Sequence, residues 1–321
     1  MTDAMTADLA GRPIRVGLDV GGTKIDAVAV DPSGDIIARR RRPTGWGEDA
    51  VVASIVDVIT DLAVDGGFAS TAVGTVGVGI PGLVDADTGR VLHAVNLGVE
   101  SLDLSERASA IVGAPVRVEN DVKAAALGAA ALRGIEGSMA YLNLGTGVAA
   151  GIVVDGAIWR GSRGTAGEVG HLSVDPNGRV CGCGQRGCIE TFCGGGALAR
   201  AWGRPGALPV RDILDAAESG DPTATALRAD LFHGAAAAVR ALVLSADVER
   251  VIIGGGLTAL GDRLFTGIRG ALRTGAEASP FMRSLQLDDR IELLPDGSPA
   301  AAFGAAIVGA TTPSKEIVPH G

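Results

Sequence analysis

The chain has 321 residues, 47% of them apolar, enough for one large or two ordinary globular domains with sizeable cores. A net charge of −9 and an aromatic content of 3% exclude both the basic face of a duplex binder and the stacking platforms of single-strand readers. Forty-nine glycines, about twice the usual share, predict many tight turns and places where backbone meets a ligand closely.

The N-terminal stretch MTDAMTADLAGRP carries acids and no apolar core, so it does not read as a signal peptide. Two long uncharged runs are 137–154 and 297–314. Glycines and Asn143 interrupt the first, Pro299 and Pro313 the second, and neither reads as a membrane span. A cytoplasmic location is expected, where thiols stay reduced.

The segment from Ile14 to Val20 is β-branched and apolar, and Gly21-Gly22 turn the chain. Alternation resumes at Ile25, Ala27 and Ala29, and a third strand follows the turn Asp31-Pro32-Ser33-Gly34. The run Arg39-Arg40-Arg41-Arg42 reads as a solvated strand end. Val52, Ile55, Val56, Ile59 and Ala63 predict a helix over 48–66, and TVGVGIPG a buried strand. Residues 101–112 read as helix, Arg117 and Val118 as a short strand, and Ala124 to Leu132 as an alanine-rich helix.

Then the opening pattern recurs. AYLNLGTGVAAGIVVDG repeats VGLDVGGTKIDAVAVDPSG at an offset of 124 residues, with Asp19 falling on Asn143, Gly21 on Gly145 and Asp31 on Asp155. Such self-similarity predicts two related α/β halves with a cleft between them. A helix is expected over 222–246, strands at 248–256 and 291–295, and a last helix over 300–309. The expected division is a smaller domain of residues 1–120 plus 300–321, and a larger one of 121–299.

Three glycine turns carry candidate phosphate-binding chemistry. DVGGTK places the Asp19 carboxylate at a strand end, followed by Gly21, Gly22, Thr23 and Lys24. Glycines let backbone N–H groups approach a phosphate, Thr23 adds a donor, Lys24 a charge, and Asp19 suits Mg²⁺. The spacing matches neither the dinucleotide nor the P-loop fingerprint. LGTG supplies Gly145, Thr146 and Gly147, and IIGGG supplies Gly254, Gly255 and Gly256. VENDVKAAALG sets Asn120 and Asp121 at a strand–helix junction, where they suit helix capping and, for Asp121, general-base work.

GTAGEVGHLSV presents Glu168 and His171 ahead of CGCGQRGC. Cys181, Cys183 and Cys188 have the turn-rich spacing that lets thiolates converge on one ion, and zinc suits them. His171 is one candidate for the fourth ligand and Cys193 the rival. A disulfide or a nucleophilic thiol fits the cluster less well.

In this order, DVGGTK, IPGLVD, NL, END, LGTG, EVGH and CGCGQRGCIE resemble the ROK family of sugar kinases and related repressors, over roughly residues 14–310. The resemblance implies the actin-like ATPase fold, two ribonuclease-H-like halves around a cleft. It implies ATP with Mg²⁺ as co-substrate, a sugar with a primary hydroxyl as acceptor, most simply glucose, and structural Zn²⁺ held by His171, Cys181, Cys183 and Cys188. Asp121 is then the catalytic base, and Asn96, Asn120, Glu168, His171 and Glu190 bind sugar hydroxyls. The turns at 21–24, 145–147 and 254–256 hold ATP. A homodimer or homotetramer is the family expectation, with no nucleic-acid or membrane partner. Ala149-Ala150, Lys123 and the run NLGVESLDL depart from the common pattern, so another hexose, an N-acetylhexosamine or a cyclitol stands as the alternative acceptor. Only 13 residues precede Ile14, too few for the DNA-reading domain expected of a repressor.

Overall fold

A computed structural model describes residues 14–311. The chain forms two compact units: one runs to Leu132 and takes up again from Pro299, and the other is Arg133–Ser298.

The first unit begins with the meander β1 (Ile14–Val20), β2 (Lys24–Val30) and β3 (Ile36–Pro43). Its sheet is completed by β4 (Val73–Ile80) and by β8 (Val116–Asn120), in the order β3-β2-β1-β4-β8. β1, β2 and β3 pair antiparallel, and β4 pairs in parallel with β1 and with β8. Val16, Leu18 and Val20 of β1 pack under the helix Glu48–Gly66 through Val51, Ile55 and Leu62. The four arginines lie on β3, an edge strand, where Arg41 pairs with Asp26, and Arg40 and Arg42 with the helix carboxylates of Asp57, Asp61 and Asp65. Exposed pairs of this kind add little stability but keep a charged row on an open sheet edge.

The segment read as helix from residue 101 splits. β5 (Leu83–Asp85), β6 (Arg90–Ala94) and β7 (Val99–Asp103) form a separate three-stranded antiparallel sheet, and the helix starts only at Leu104. Pairing with β6, through Val91–Leu102 and Ala94–Val99, holds this segment as strand, with Val99 and Leu102 buried.

In the second unit β9 (Met139–Leu144), β10 (Val148–Val154), β11 (Ala157–Ile158), β12 (Arg250–Gly254) and β13 (Ile291–Leu293) make a sheet of order β11-β10-β9-β12-β13. β9, β10 and β11 pair antiparallel, and β12 runs parallel to β9 and to β13. The two sheets therefore have the same topology, strand for strand, as the internal repeat predicts. This duplicated ribonuclease-H-like arrangement is the actin-like ATPase fold. β12 is shorter than the expected 248–256, because Gly255 takes a left-handed conformation (φ 88°) and leads into the short 3-10 helix Gly256–Leu260.

Among the described residues one helix, Pro222–Ala246, is long and apolar enough to cross a membrane by length and composition. Leu227, Leu231, Val239 and Leu242 on it are buried in the second unit's core. Asp221 caps its start, accepting from the Ala224 N–H, with proline at the first helical position.

One helix, Ala300–Ala310, lies against the first sheet at backbone distance. A Cβ added to Gly17 of β1, Gly77 of β4 or Gly128 of the helix Asp121–Arg133 would collide with carbonyls of Ala302, Ala305 and Ala300 respectively. Small residues on both sides allow this approach, and they fix where the helix beginning at Asp121 sits.

Candidate active site

In the first unit the candidate residues gather at the carboxyl ends of the parallel strands. Asp19 is on β1, and Asn120 ends β8 immediately before the helix Asp121–Arg133. Gly79 of β4 lies between them: a Cβ there would meet the Asp121 Cα and the Leu18 carbonyl at 3.4 and 3.6 Å. Burial, reinforced by the charges of Asp121 and Asp26, pushes the Asp19 carboxyl up to about 7. Asp121 accepts from the Val122 N–H (2.9 Å). Asn120 accepts from the N–H groups of Val122 and Lys123 (3.1 and 3.2 Å), so its amide caps the helix that carries Asp121. Lys123, in the first turn of that helix, is buried.

The turn Gly21-Gly22-Thr23 and the start of β2 at Lys24 are largely exposed. The Gly21 N–H donates to the Lys24 carbonyl (2.9 Å), closing the turn. A Cβ on Gly22 would come within 2.9 Å of the Asn96 carbonyl, so Asn96 stands beside this turn. The Asn120 Nδ2 donates to the Gly82 carbonyl (3.4 Å), and Gly82 packs against Ala94. Asp19, Asp121, Asn120, Asn96 and the glycine turn thus form one neighbourhood.

In the second unit the equivalent turn after β9 holds Gly145, Thr146 and Gly147. Glu190 accepts from the Val148 N–H (3.0 Å) and sits against Gly147. Gly195 and Gly196 donate their N–H groups to the carbonyls of Gly145 and Thr146 (2.8 and 2.9 Å). The turn at 254–256 lies against β9 as well: a Cβ on Gly255 would meet the Asn143 Oδ1 and the Leu144 carbonyl at 2.5 Å. A concavity of about 600 Å³ follows this turn, lined by Thr258, Asp262, Phe265, Leu293 and Pro295. Neither the Gly194-Gly195-Gly196 brace nor this concavity was singled out in the sequence. The triple glycine right after Cys193 was the available signal for the brace.

Glu168 is exposed and precedes the short 3-10 helix Val169–His171. The His171 ring and the thiols of Cys181, Cys183 and Cys188 come together with all ligand atoms within 4.8 Å of one another. The Cys183 and Cys188 sulfurs are 3.7 Å apart, and His171 Nδ1 is 3.8 Å from Cys181 Sγ. A tetrahedron with arms of about 2.3 Å has edges of about 3.8 Å, so this donor set fits a zinc ion. Hydrogen bonds from the Gln185 backbone and side chain push the Cys183 thiol down to about 6, and burial pushes Cys188 up to about 12. Cys193 stands outside this group, fully buried, its thiol donating to the Ile189 carbonyl (3.5 Å). The Cys181–Cys183–Cys188 spacing therefore converges with His171, and Cys193 packs as a small apolar residue.

Comparison with known proteins places this geometry. The ROK family profile matches residues 15–308. The chain is 34% identical over 277 residues to a glucokinase of Streptomyces coelicolor, covering 80% of this chain and 86% of that one. It is 32% identical over 248 residues to an N-acetylmannosamine kinase of Haemophilus influenzae, covering 75% and 79%. Among solved structures it is similar to a ROK family glucokinase from Streptomyces griseus in complex with glucose and AMPPNP, with a TM-score of 0.73, 30% identity, and coverage of 92% and 99%. The match spans nearly the whole described chain, and the Cys3His cluster, the two repeated sheets and the three glycine turns all fall within it. The chain belongs to the ROK family.

Proposed function

We propose that the protein transfers the γ-phosphoryl group of ATP to the primary hydroxyl of a hexose, most simply converting glucose to glucose 6-phosphate. Relatives at 32–34% identity include a glucokinase and an N-acetylmannosamine kinase. The observation that carries the reading is the placement of Asp121 at the start of a helix capped by Asn120, beside Asp19 and next to an exposed glycine turn.

Asp121 takes the proton of the acceptor hydroxyl as that oxygen bonds to the γ-phosphorus, and ADP leaves with the electron pair of the broken P–O bond. Asn96, Glu168, His171 and Glu190 bind sugar hydroxyls. Asn120, already engaged by two backbone N–H groups, contributes mainly by fixing Asp121. The turns at 21–24, 145–147 and 254–256 hold the phosphates, and the concavity after Gly256 suits the nucleoside in size. Asp19 is the residue for Mg²⁺: its carboxyl is held up by burial and by two neighbouring carboxylates, a repulsion that a dication relieves. Zinc at His171, Cys181, Cys183 and Cys188 closes its ligand shell with protein and is structural. With His171 Nδ1 toward Cys181, the other ring nitrogen is left for the sugar.

The test is a coupled ADP-release assay over glucose, mannose, N-acetylmannosamine and a cyclitol, with ATP and with polyphosphate as donor. Turnover highest with glucose and ATP is expected. Preference for N-acetylmannosamine would move the acceptor assignment, and no sugar-dependent release would end the kinase reading.

A further inference from the structure

Trp46 is an exposed aromatic in a chain with few aromatics: 71% of its surface is open. The backbone that carries it is tied down. The segment from Thr44 to Gly47 is tied on one side to the glycine turn, where Thr44 Oγ1 donates to the Gly21 carbonyl (2.7 Å) and the Thr44 N–H to the Thr23 carbonyl (3.1 Å). On the other side the Gly47 N–H donates to the Leu97 carbonyl (2.8 Å). Gly45 donates to Ser54 Oγ (3.1 Å) and packs so closely on Ala50 that a side chain there would not fit. The indole itself lies on Gly98: a Cβ at that position would come within 2.6 Å of its Cε2 and Nε1. Gly98 also has a left-handed conformation (φ 67°), which glycine adopts without strain. Two residues away is Asn96, exposed and beside Gly22.

An open indole on a tethered backbone, resting on Gly98 two residues from the exposed amide of Asn96, suits the binding of a pyranose. The ring's C–H face stacks on the aromatic while its hydroxyls meet the polar group. Burial of the indole in the fold does not account for Trp46, because most of it contacts nothing. We propose that Trp46 is a wall of the acceptor site, stacking on the C–H face of the pyranose whose hydroxyls Asn96 binds. This rests on the assignment of Asn96 to the acceptor sugar. Trp46 reaches that neighbourhood through Gly98, by a different set of contacts from those that place Asp121, so it acts on sugar binding and not on proton transfer.

The experiment compares Trp46→Ala and Trp46→Phe with the wild-type full chain, by ADP release and by fluorescence excited selectively at tryptophan. For Trp46→Ala the KM for glucose is expected to rise roughly tenfold, with kcat and the KM for ATP within about twofold. Trp46→Phe keeps a flat platform and is expected to stay within about threefold of wild type in KM. Titration with glucose without ATP is expected to quench or blue-shift wild-type emission, and Trp46→Phe is expected to lose that change. An unchanged glucose KM in Trp46→Ala, or a fall in kcat alone, would overturn the proposal. If the wild type phosphorylates no sugar, the kinase reading fails by itself. The titration, run with glucose and N-acetylmannosamine, still decides about Trp46: a sugar-dependent change lost in Trp46→Phe supports it, and no change with either sugar overturns it.

Discussion

The helix that begins with Asp121 is held by a crossing that leaves no room for a methyl group. Gly128 sits in its middle, and a Cβ there would lie 1.9 Å from the Ala300 carbonyl and 2.6 Å from the Gly304 N–H nitrogen. Ordinary carbon–oxygen contact needs about 3.4 Å, so Gly128→Ala must move backbone against backbone by more than 1 Å, with no flexible side chain to yield. Overpacking of this kind costs about 1–3 kcal/mol, while the better helix propensity of alanine returns up to about 1 kcal/mol. A net loss of about 1–2 kcal/mol is expected. Gly270 supplies the matched control: it lies in the helix Asp262–Ala276, is exposed, and a Cβ there meets nothing within 4 Å. Gly270→Ala is expected to stabilise by about 0.5–1 kcal/mol through propensity alone. Urea unfolding of both variants measures the contrast. Because the crossing positions Asp121, Gly128→Ala should also lower kcat more than it changes the sugar KM. Equal stability of the two variants would refute the packing argument.

Asp121→Asn is expected to fold and bind sugar normally while turnover falls by roughly 10²–10⁴, the range of general-base catalysis; near-wild-type kcat would reject the assignment. Cys181→Ser should abolish stoichiometric zinc in elemental analysis and destabilise the second unit, since structural zinc carries on the order of 10 kcal/mol of apparent binding energy. About one zinc per chain is the expected wild-type content, and a metal-free, fully active preparation would contradict it. Asp19 carries the pH dependence. Its carboxyl sits at about 7 in the fold against 3.8 when unperturbed, so the folded state holds an extra proton between those values. Stability from this group is therefore full below about 3.8 and is lost as pH rises toward 7. In metal-free buffer Asp19→Asn should be more stable than wild type at pH 8, by up to about 4 kcal/mol, with the gap closing toward pH 4. A pH-independent difference measured by thermal unfolding would count against the buried carboxylate.

Much of this was legible in the residues because it is local. A β-branched run, a glycine turn and a second alternating run specify β1 and β2, and the same pattern at an offset of 124 residues specifies β9 and β10. The cysteine spacing worked for the same reason: Cys181, Cys183 and Cys188 lie in a few turns of chain, and His171 is only ten residues earlier. What escaped notice depends on partners distant in sequence. The start of 101–112 was read as helix, and the pairing of β7 with β6 makes it strand. Glu190 reads as a sugar ligand, yet its carboxylate also secures the turn before Val148, which no spacing rule reveals. The stretch AAAFGAAIVGA looks like an undistinguished apolar helix. Its small residues matter because the carbonyls of Ala300, Ala302 and Ala305 meet Gly128, Gly17 and Gly77, drawn from three separate elements. The high glycine content therefore has two causes. Gly21 and Gly145 shape tight turns, whereas Gly17, Gly77 and Gly128 let the Ala300–Ala310 helix approach to backbone contact. Only the first kind announces itself in sequence, yet it is the second kind that sets the position of Asp121.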